Sequence, residues 1–347
     1  MNMKFSSFYF VAAVFLFCGS GQLQSQNSPA NAKVKTFTIL HTNDLHSSFI
    51  GMGPSSDYTP FKLNNDKTIG GYARLAGLIN QKKAPHKNQG AVFVLDAGDF
   101  SMGTPFGAAS RETGGELQLM ARMGYDATTF GNHEFDLGAK GLGEEISIAA
   151  KAGFVVPVLA SNTNLDAKDS TLLGLQKLAK DGIVLPYKII ERDGIRFGLF
   201  GLLGKEATFY TGGAGAVKFN DAIETARKMV KILHDSLKVD VVICLSHGGL
   251  EKDADGKYTK GDDIHLAEAV PGIDIVIGGH SHTALKEAIV VNNHSIVVQT
   301  GKECENLGEL VVSFDGTKIK LVSWKLIPVN DANEAPRSKL RGILEQS

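Results

Sequence analysis

One short stretch constrains this chain more than any other, the sequence Phe-Gly-Asn-His-Glu-Phe-Asp at 130–136. The residues just before it, 125–130, have the pattern of a buried strand, and Gly131 permits a sharp turn after that strand. A strand that ends in a glycine turn presents the following polar groups at the carboxyl edge of a sheet, where open α/β folds place their sites. Taken alone, the stretch is equally compatible with turn and helix-capping residues.

Four further strand patterns end in the same way, at residues 40, 95, 245 and 277. Polar residues follow each of them, in the segments 41–46, 96–99, 246–249 and 278–282. Aspartate, asparagine and histidine recur in these segments, mostly beside glycines that let the backbone come close. Imidazole and carboxylate are borderline ligands suited to Zn, Mn, Fe or Co. The five strand ends therefore predict a metal site at one edge of the sheets.

The number of candidate ligands indicates more than one ion. Seven such side chains exceed the needs of one tetrahedral ion and suit two ions that share a carboxylate. Two ions about 3.5–4 Å apart can hold a hydroxide and stabilise both the attacking and the leaving oxygen of an in-line displacement. Hydrolysis of a phosphate ester is the reaction that most needs this arrangement.

The polar segments resemble the five motif blocks of the calcineurin-like metallophosphoesterases. The blocks are Asp44-Leu45-His46, Gly98-Asp99, Gly131-Asn132-His133-Glu134, Ser246-His247 and Gly279-His280-Ser281-His282. Residues 40–44, 131–136 and 326–330 make the chain similar, over 34–330, to the catalytic N-terminal domain of the secreted bacterial 5′-nucleotidase family. The resemblance implies an α/β fold with mixed α+β character, a four-layer αββα sandwich of two mixed sheets flanked by helices.

The resemblance also implies seven metal ligands, divided between two divalent ions (Zn, Mn, Fe or Co). The set is Asp44, His46 and His282 for one ion, Asn132, His247 and His280 for the other, and Asp99 as the bridge. Some relatives have glutamine where this chain has His282, so metal preference is expected to differ. We expect Asp96 and Glu134 to support the loops rather than to bind metal.

His133 and Asp136 resemble the family's catalytic dyad. His133 directly follows Asn132, so we expect it to face the substrate rather than the same metal. Asp136, three residues on, can reach back and fix the tautomer of His133. By similarity, Asn132 and His133 bind the phosphoryl group, and His133 stabilises its charge and protonates the leaving oxygen.

We therefore expect a dinuclear-metal-dependent phosphoric ester hydrolase that dephosphorylates nucleotides, as a 5′-nucleotidase does, by a metal-bound hydroxide. One alternative is a broad phosphomonoesterase or a 2′,3′-cyclic nucleotide phosphodiesterase that acts without a nucleotide-recognition domain. A different alternative is a non-catalytic metal-binding scaffold or partner protein. The larger family members carry a C-terminal nucleotide-recognition domain, which we expect to be absent here; a separate polypeptide could supply it.

The rest of the chain predicts export. Lys4 and the apolar run 8–17 are typical of a signal peptide, so we assign 1–26 to a signal, with Cys18 leaving a lipid anchor as an alternative. Residues 27–33 are then a linker, 34–330 the catalytic domain, and 331–347 a polar tail. We expect a periplasmic or envelope-associated protein with no transmembrane span. The net charge of −1 argues against nucleic acid as a partner.

Overall fold

A computed structural model of the chain describes residues 34–53, 68–86, 90–330 and 332–333. The predicted signal peptide, linker and nearly all of the polar tail lie outside the described residues. Two large β-sheets with helices on their outer faces make up the described part. No helix there is long and apolar enough to cross a membrane.

The strands vary from two to ten residues in length. They are β1 (Lys35–Thr42), β2 (Ala91–Asp96), β3 (Thr128–Thr129), β4 (Val158–Leu159), β5 (Thr163–Asn164), β6 (Val184–Leu185), β7 (Tyr187–Arg192), β8 (Ile195–Leu203), β9 (Lys218–Phe219), β10 (Val241–His247), β11 (Glu251–Lys252), β12 (Tyr258–Lys260), β13 (Ile275–Gly278), β14 (Ile289–Val291), β15 (Ser295–Val298), β16 (Asn306–Phe314) and β17 (Ile319–Pro328).

The α-helices mostly connect strands. They are α1 (Tyr72–His86), α2 (Ser110–Thr113), α3 (Gly115–Met123), α4 (Gly138–Lys151), α5 (Leu173–Lys180), α6 (Lys205–Thr208), α7 (Ala222–Lys231) and α8 (Asp262–Ala269). Short 3₁₀ turns cover Gly107–Ala109, His133–Phe135 and Ser170–Leu172, and a π-helical turn, Ile232–Ser236, extends α7. Residues 222–236 therefore form one helical segment whose hydrogen bonding changes near its end.

Both large sheets are mixed. The first has the order β17-β16-β1-β2, with β1 parallel to β2 and antiparallel to β16. The second has the order β14-β15-β13-β10-β8-β7, and its four central strands are parallel. A small parallel sheet, β3-β4-β6, adjoins β2 through a bridge from Leu95 to Ala127. Within the strand predicted at 125–130, only β3 (Thr128–Thr129) is an extended strand segment. Most of the other residues lie in a loop.

The side chains along each strand alternate between two apolar layers. Phe93 and Leu95 of β2 pack with Ile243 of β10 in a core between the sheets. Val94, on the opposite face of β2, packs against helices, and Val242 does the same beyond the second sheet. Alternation of this kind on both sheets produces helix, sheet, sheet and helix layers. The predicted αββα architecture of two mixed sheets is confirmed.

Candidate metal centre

The five strand ends named by the sequence meet at one edge of the two sheets. β1, β2 and β3 run parallel on one side, and β10 and β13 run parallel on the other. Inward-facing residues alternate along β10, so His247 at its end points toward the layer between the sheets, as Ile243 does. The loops after the other four strands carry the remaining candidate ligands to the same place.

Asp44, His46 and His282 form the first donor group, and one ligand atom from each lies within 4.8 Å of the others. The Nε2 atoms of His46 and His282 are 3.0 Å apart. Asp44 Oδ1 lies 3.4 Å from His282 Nε2 and 3.8 Å from His46 Nε2. The group thus combines one buried carboxylate with two imidazole nitrogens that face each other.

Asp99, His247 and His280 form the second donor group, within the same 4.8 Å limit. His247 Nε2 lies 3.0 Å from Asp99 Oδ2, and both side chains are almost completely buried. The other nitrogen of that ring, Nδ1, is 2.8 Å from the carbonyl oxygen of Ala97. This contact orients the ring so that Nε2 faces the donor group.

The two donor groups adjoin. Asp44 Oδ1 of the first group is 4.0 Å from His247 Nε2 of the second. Asn132, the seventh candidate, lies beside them in the same cleft, and its side-chain oxygen is buried without a hydrogen-bond partner among the described residues. An unpaired buried oxygen is costly unless something binds it. This donor set of imidazole, carboxylate and amide oxygen fits divalent cations.

The backbone at the candidate ligands is unusual. Five of the seven residues have φ between 48° and 71°, in the left-handed region that non-glycine residues avoid: Asp44, His46, Asp99, His280 and His282. Each such conformation costs on the order of 1–3 kcal/mol, and these conformations cluster at functional sites. The fold thus holds the ligand loops in tight turns that bring the side chains together.

Two buried carboxylates outside the donor groups hold those turns. Glu134 accepts hydrogen bonds from the backbone nitrogens of Asp99, Gly131 and Ser101. Asp96 accepts from Gly98 N and from the hydroxyls of Thr42 and Thr128. Each carboxylate therefore links the loop after β2 to neighbouring segments, and neither belongs to a donor group. The expectation that these two residues support the loops agrees with this geometry.

His133 and Asp136 are in direct contact. His133 Nδ1 lies 2.7 Å from Asp136 Oδ2, and the 3₁₀ turn His133–Phe135 brings the two side chains together. The backbone nitrogen of His133 donates to Asp99 Oδ1 at 2.8 Å, which ties the dyad to the second donor group. The ring itself lines the cleft and packs edge-on against His46 at 5.3 Å between centroids. His133 is thus close to both groups without belonging to either.

Burial and neighbouring charges set the protonation of the second group. Burial opposes the charged form of His247, but the Asp99 carboxylate outweighs this effect and raises the pKa of His247 to about 10. Burial likewise opposes ionisation of Asp99, yet the His247 charge holds the pKa of Asp99 well below its usual range. Burial, helped by His247, lowers the pKa of His280 to about 4. His280 is therefore neutral at pH 7, the form that binds metal.

The cleft above the donor groups has a volume of about 440 Å³. Besides five of the predicted site residues it is lined by Glu206, Tyr210, Leu250, Glu251 and Ser281. Glu206 and Tyr210 were missed by the sequence argument, because their place in the cleft depends on how β8 pairs with β10. β8 is parallel to β10, so the segment after Leu203 emerges at the same edge as the ligand loops.

Comparison with known proteins agrees with this geometry. A model of the calcineurin-like phosphoesterase family matches residues 37–284. The 5′-nucleotidase of Rattus norvegicus is 32% identical over 292 residues, which is 84% of this chain and 44% of that protein. A trifunctional nucleotide phosphoesterase of Bacillus subtilis is 29% identical over 313 residues, covering 84% of this chain and 19% of that protein. The chain thus spans less than half the length of these two relatives.

Solved structures show the same fold. The 5′-nucleotidase precursor from Thermus thermophilus superposes with a TM-score of 0.66 at 26% identity, over 90% of this chain and 58% of that one. A calcineurin-like phosphoesterase from Bacillus subtilis gives a TM-score of 0.64 at 21% identity, over 90% of this chain and 96% of that one. Family and relatives support a hydrolase that acts on phosphoester bonds and binds divalent metal. The chain belongs to the calcineurin-like phosphoesterase family.

Proposed function

We propose that this protein is a dinuclear-metal-dependent phosphoesterase that dephosphorylates nucleotides. The observation that carries the proposal is the pair of adjoining donor groups, with Asp44 Oδ1 4.0 Å from His247 Nε2. Two groups this close provide for two neighbouring ions, whereas a single tetrahedral ion would leave several of the converging ligands unused. Divalent ions bound there would supply Lewis-acid activation of a phosphoryl oxygen and of a nucleophilic water.

The chain's own residues would bind the two ions. Asp44, His46 and His282 would hold one ion, and Asn132, His247 and His280 the other, with Asp99 between them. The position of Asp99 supports the last assignment. Its Oδ2 lies 3.0 Å from His247 Nε2 of the second group, and its carbonyl oxygen accepts a hydrogen bond at 3.0 Å from the backbone nitrogen of His46 in the first group. Burial of Asp44, Asp99 and His247 keeps water away and strengthens their interactions with a bound cation.

His133 would act on the leaving group. Asp136 bonds to Nδ1 of the imidazole, so a second ring nitrogen remains for the substrate. Burial opposes protonation of His133, but the hydrogen bond to Asp136 and the neighbouring carboxylates of Asp99 and Asp136 together outweigh it and raise the pKa of the imidazole. A protonated His133 can stabilise the charge of the phosphoryl group and donate its proton to the leaving oxygen, which is typically worth about 10²–10⁴-fold in rate.

Nucleotides are proposed as substrates because the relatives are named for them. The rat protein is a 5′-nucleotidase and the Bacillus protein a nucleotide phosphoesterase. A substrate panel tests this: nucleoside monophosphates, cyclic nucleotides, sugar phosphates and an aryl phosphate, each with Mn²⁺ and with Zn²⁺. We expect the highest kcat/KM on nucleoside monophosphates. Equal kcat/KM across the panel would favour a broad phosphomonoesterase instead, and a preference for cyclic nucleotides would favour a phosphodiesterase.

Metal dependence is tested on the same protein. We expect about two equivalents of divalent metal per chain. We also expect chelation to abolish hydrolysis of the aryl phosphate and added Mn²⁺ to restore it. Retention of hydrolysis after complete removal of metal would contradict the mechanism. Two bound metals without turnover of any phosphate ester would leave the non-catalytic scaffold as the better interpretation.

A further inference from the structure

Tyr210 is a large aromatic residue that is exposed to solvent in the cleft above the donor groups. The residue is 58% exposed, and it lines the cleft together with His133 and Asp99. Its ring centroid lies 5.8 Å from that of His280, with 48° between the planes. His280 is a member of the second donor group, so the phenol ring adjoins the space above the proposed metal ions. An exposed apolar ring in such a place offers contact area to a ligand.

The backbone that carries Tyr210 is fixed relative to the donor groups. Gly204 N donates to the carbonyl oxygen of His247 at 2.9 Å, where α6 begins. Glu206 N, in the first turn of that helix, donates to Asp262 Oδ2 at 3.0 Å. Tyr210 N then donates to the carbonyl oxygen of Ala207, which is fully buried. A tyrosine whose backbone is fixed by hydrogen bonds loses little conformational entropy when a ligand packs on its ring.

Building on the proposed phosphoesterase function, we propose that Tyr210 positions the substrate by stacking on the planar ring of its leaving group. The phosphoryl group would lie at the donor groups, and a nucleobase or another aromatic ring would pack on the phenol. Base–aromatic stacking is tolerant of base identity, because every base has a π-face. Tyr210 would therefore select esters that carry an aromatic ring over aliphatic ones, without selecting among bases.

The chain contains a matched control beside this residue. Phe209 is adjacent in sequence and 77% exposed, but it does not line the cleft. If this surface docked another protein, both exposed rings would contact that protein. If the role is to bind substrate in the cleft, only Tyr210 would make contact. The comparison of Phe209→Ala with Tyr210→Ala therefore separates the two roles.

The test compares adenosine 5′-monophosphate with ribose 5-phosphate, which have the same phosphoester and differ by the base. For the metal-loaded protein we expect kcat/KM to favour the nucleotide by about tenfold. Tyr210→Ala should reduce that ratio toward one, chiefly through a higher KM for the nucleotide. Tyr210→Phe should restore the ratio, because the ring is retained, and Phe209→Ala should leave it unchanged.

Calorimetric binding of adenosine and of ribose gives a readout that does not depend on turnover. We expect the preference for adenosine over ribose to fall by about tenfold in Tyr210→Ala and to persist in Tyr210→Phe. An unchanged ratio in Tyr210→Ala, or an equal loss in Phe209→Ala, would overturn the inference while leaving the phosphoesterase function intact. Wild-type protein that hydrolyses neither substrate would overturn the proposed function, and the inference with it.

Discussion

The two donor groups of the cleft are built from the same residue types but differ in their surroundings. In the second group the side chains of His247 and Asp99 are 0% and 2% exposed, and that of His280 is 13% exposed. In the first group Asp44 is fully buried, but the His282 side chain is 40% exposed. The Ala97 carbonyl holds the His247 ring, whereas no backbone carbonyl in the described part of the chain bonds to the ring of His46 or His282.

This difference separates a preorganised group from an open one. A buried carboxylate and an oriented imidazole interact strongly with a cation, because the surrounding dielectric is low and little reorganisation is needed. An exposed imidazole must be ordered on binding and competes with water. We therefore expect the second group to hold its ion more tightly, and the first group to exchange its ion more readily. The predictions below test this comparison.

The largest effect is expected from Asp99→Asn, which removes the negative charge of the buried group at nearly constant shape. Asp99 contacts His247 Nε2 and accepts from His133 N, so the substitution affects the second donor group and the dyad together. We expect loss of tightly bound metal and a fall in kcat/KM of at least about 10³-fold, equivalent to several kcal/mol of transition-state stabilisation.

Metal analysis and kinetics on the purified variant check this prediction. Asp315→Asn is the matched control, because Asp315 is an exposed aspartate in the turn between β16 and β17. It should retain metal content and kcat/KM. An Asp99→Asn protein with both metals and near-normal turnover would mean that Asp99 neither bridges nor binds an ion.

The next effect is expected from His133→Ala, which removes the proposed acid without removing a ligand. We expect kcat to fall by about 10²–10⁴-fold while metal content stays at the wild-type level. Activity on an aryl phosphate and elemental analysis measure the two quantities. Loss of metal in this variant would show that His133 is a ligand rather than the group that faces the substrate.

A direct comparison of the groups uses His247→Ala and His282→Ala. Each variant removes one imidazole, the first from the buried group and the second from the open one. We expect titration with Mn²⁺ to show a loss of affinity that is at least about tenfold greater in His247→Ala, because its partners are buried and already oriented. Equal losses, or a greater loss in His282→Ala, would refute the distinction between the two groups.

The sequence located the site in two steps. The strand ends pointed to five segments at one edge of the sheets, and the resemblance to the metallophosphoesterases named seven residues within them. The structure places six of these residues in the two donor groups and Asn132 in the same cleft. The pattern was informative because buried parallel strands have continuous apolar runs, as in residues 241–245. Short strands were harder, since Thr128–Thr129 and Val158–Leu159 depend on pairing with each other rather than on local pattern.

Tyr210 and Glu206 show why part of the cleft could not be predicted from the sequence. Glu206 lies on the short helix α6 after β8, and Tyr210 lies two residues beyond the end of that helix. Nothing in the local pattern marks an exposed tyrosine as a cleft residue. Their position depends on the register of β8 against β10, where Leu203 pairs with His247. Register is a property of the assembled sheet. The left-handed backbone at the ligand loops is likewise imposed by tertiary contacts such as those of Glu134.

The smallest effect is expected from Asp136→Asn, because the contact between Asp136 and His133 is partly exposed to solvent. Asp136 and His133 are 31% and 43% exposed, so water screens their interaction. The substitution removes the charge that orients and protonates His133, and we expect kcat to fall by about tenfold with metal content unchanged. If Asp136 acts only through His133, adding Asp136→Asn to His133→Ala should cause no further loss of kcat. If the two substitutions lowered kcat multiplicatively in the double variant, Asp136 would contribute to the reaction independently of His133. The two residues would then not act as a dyad.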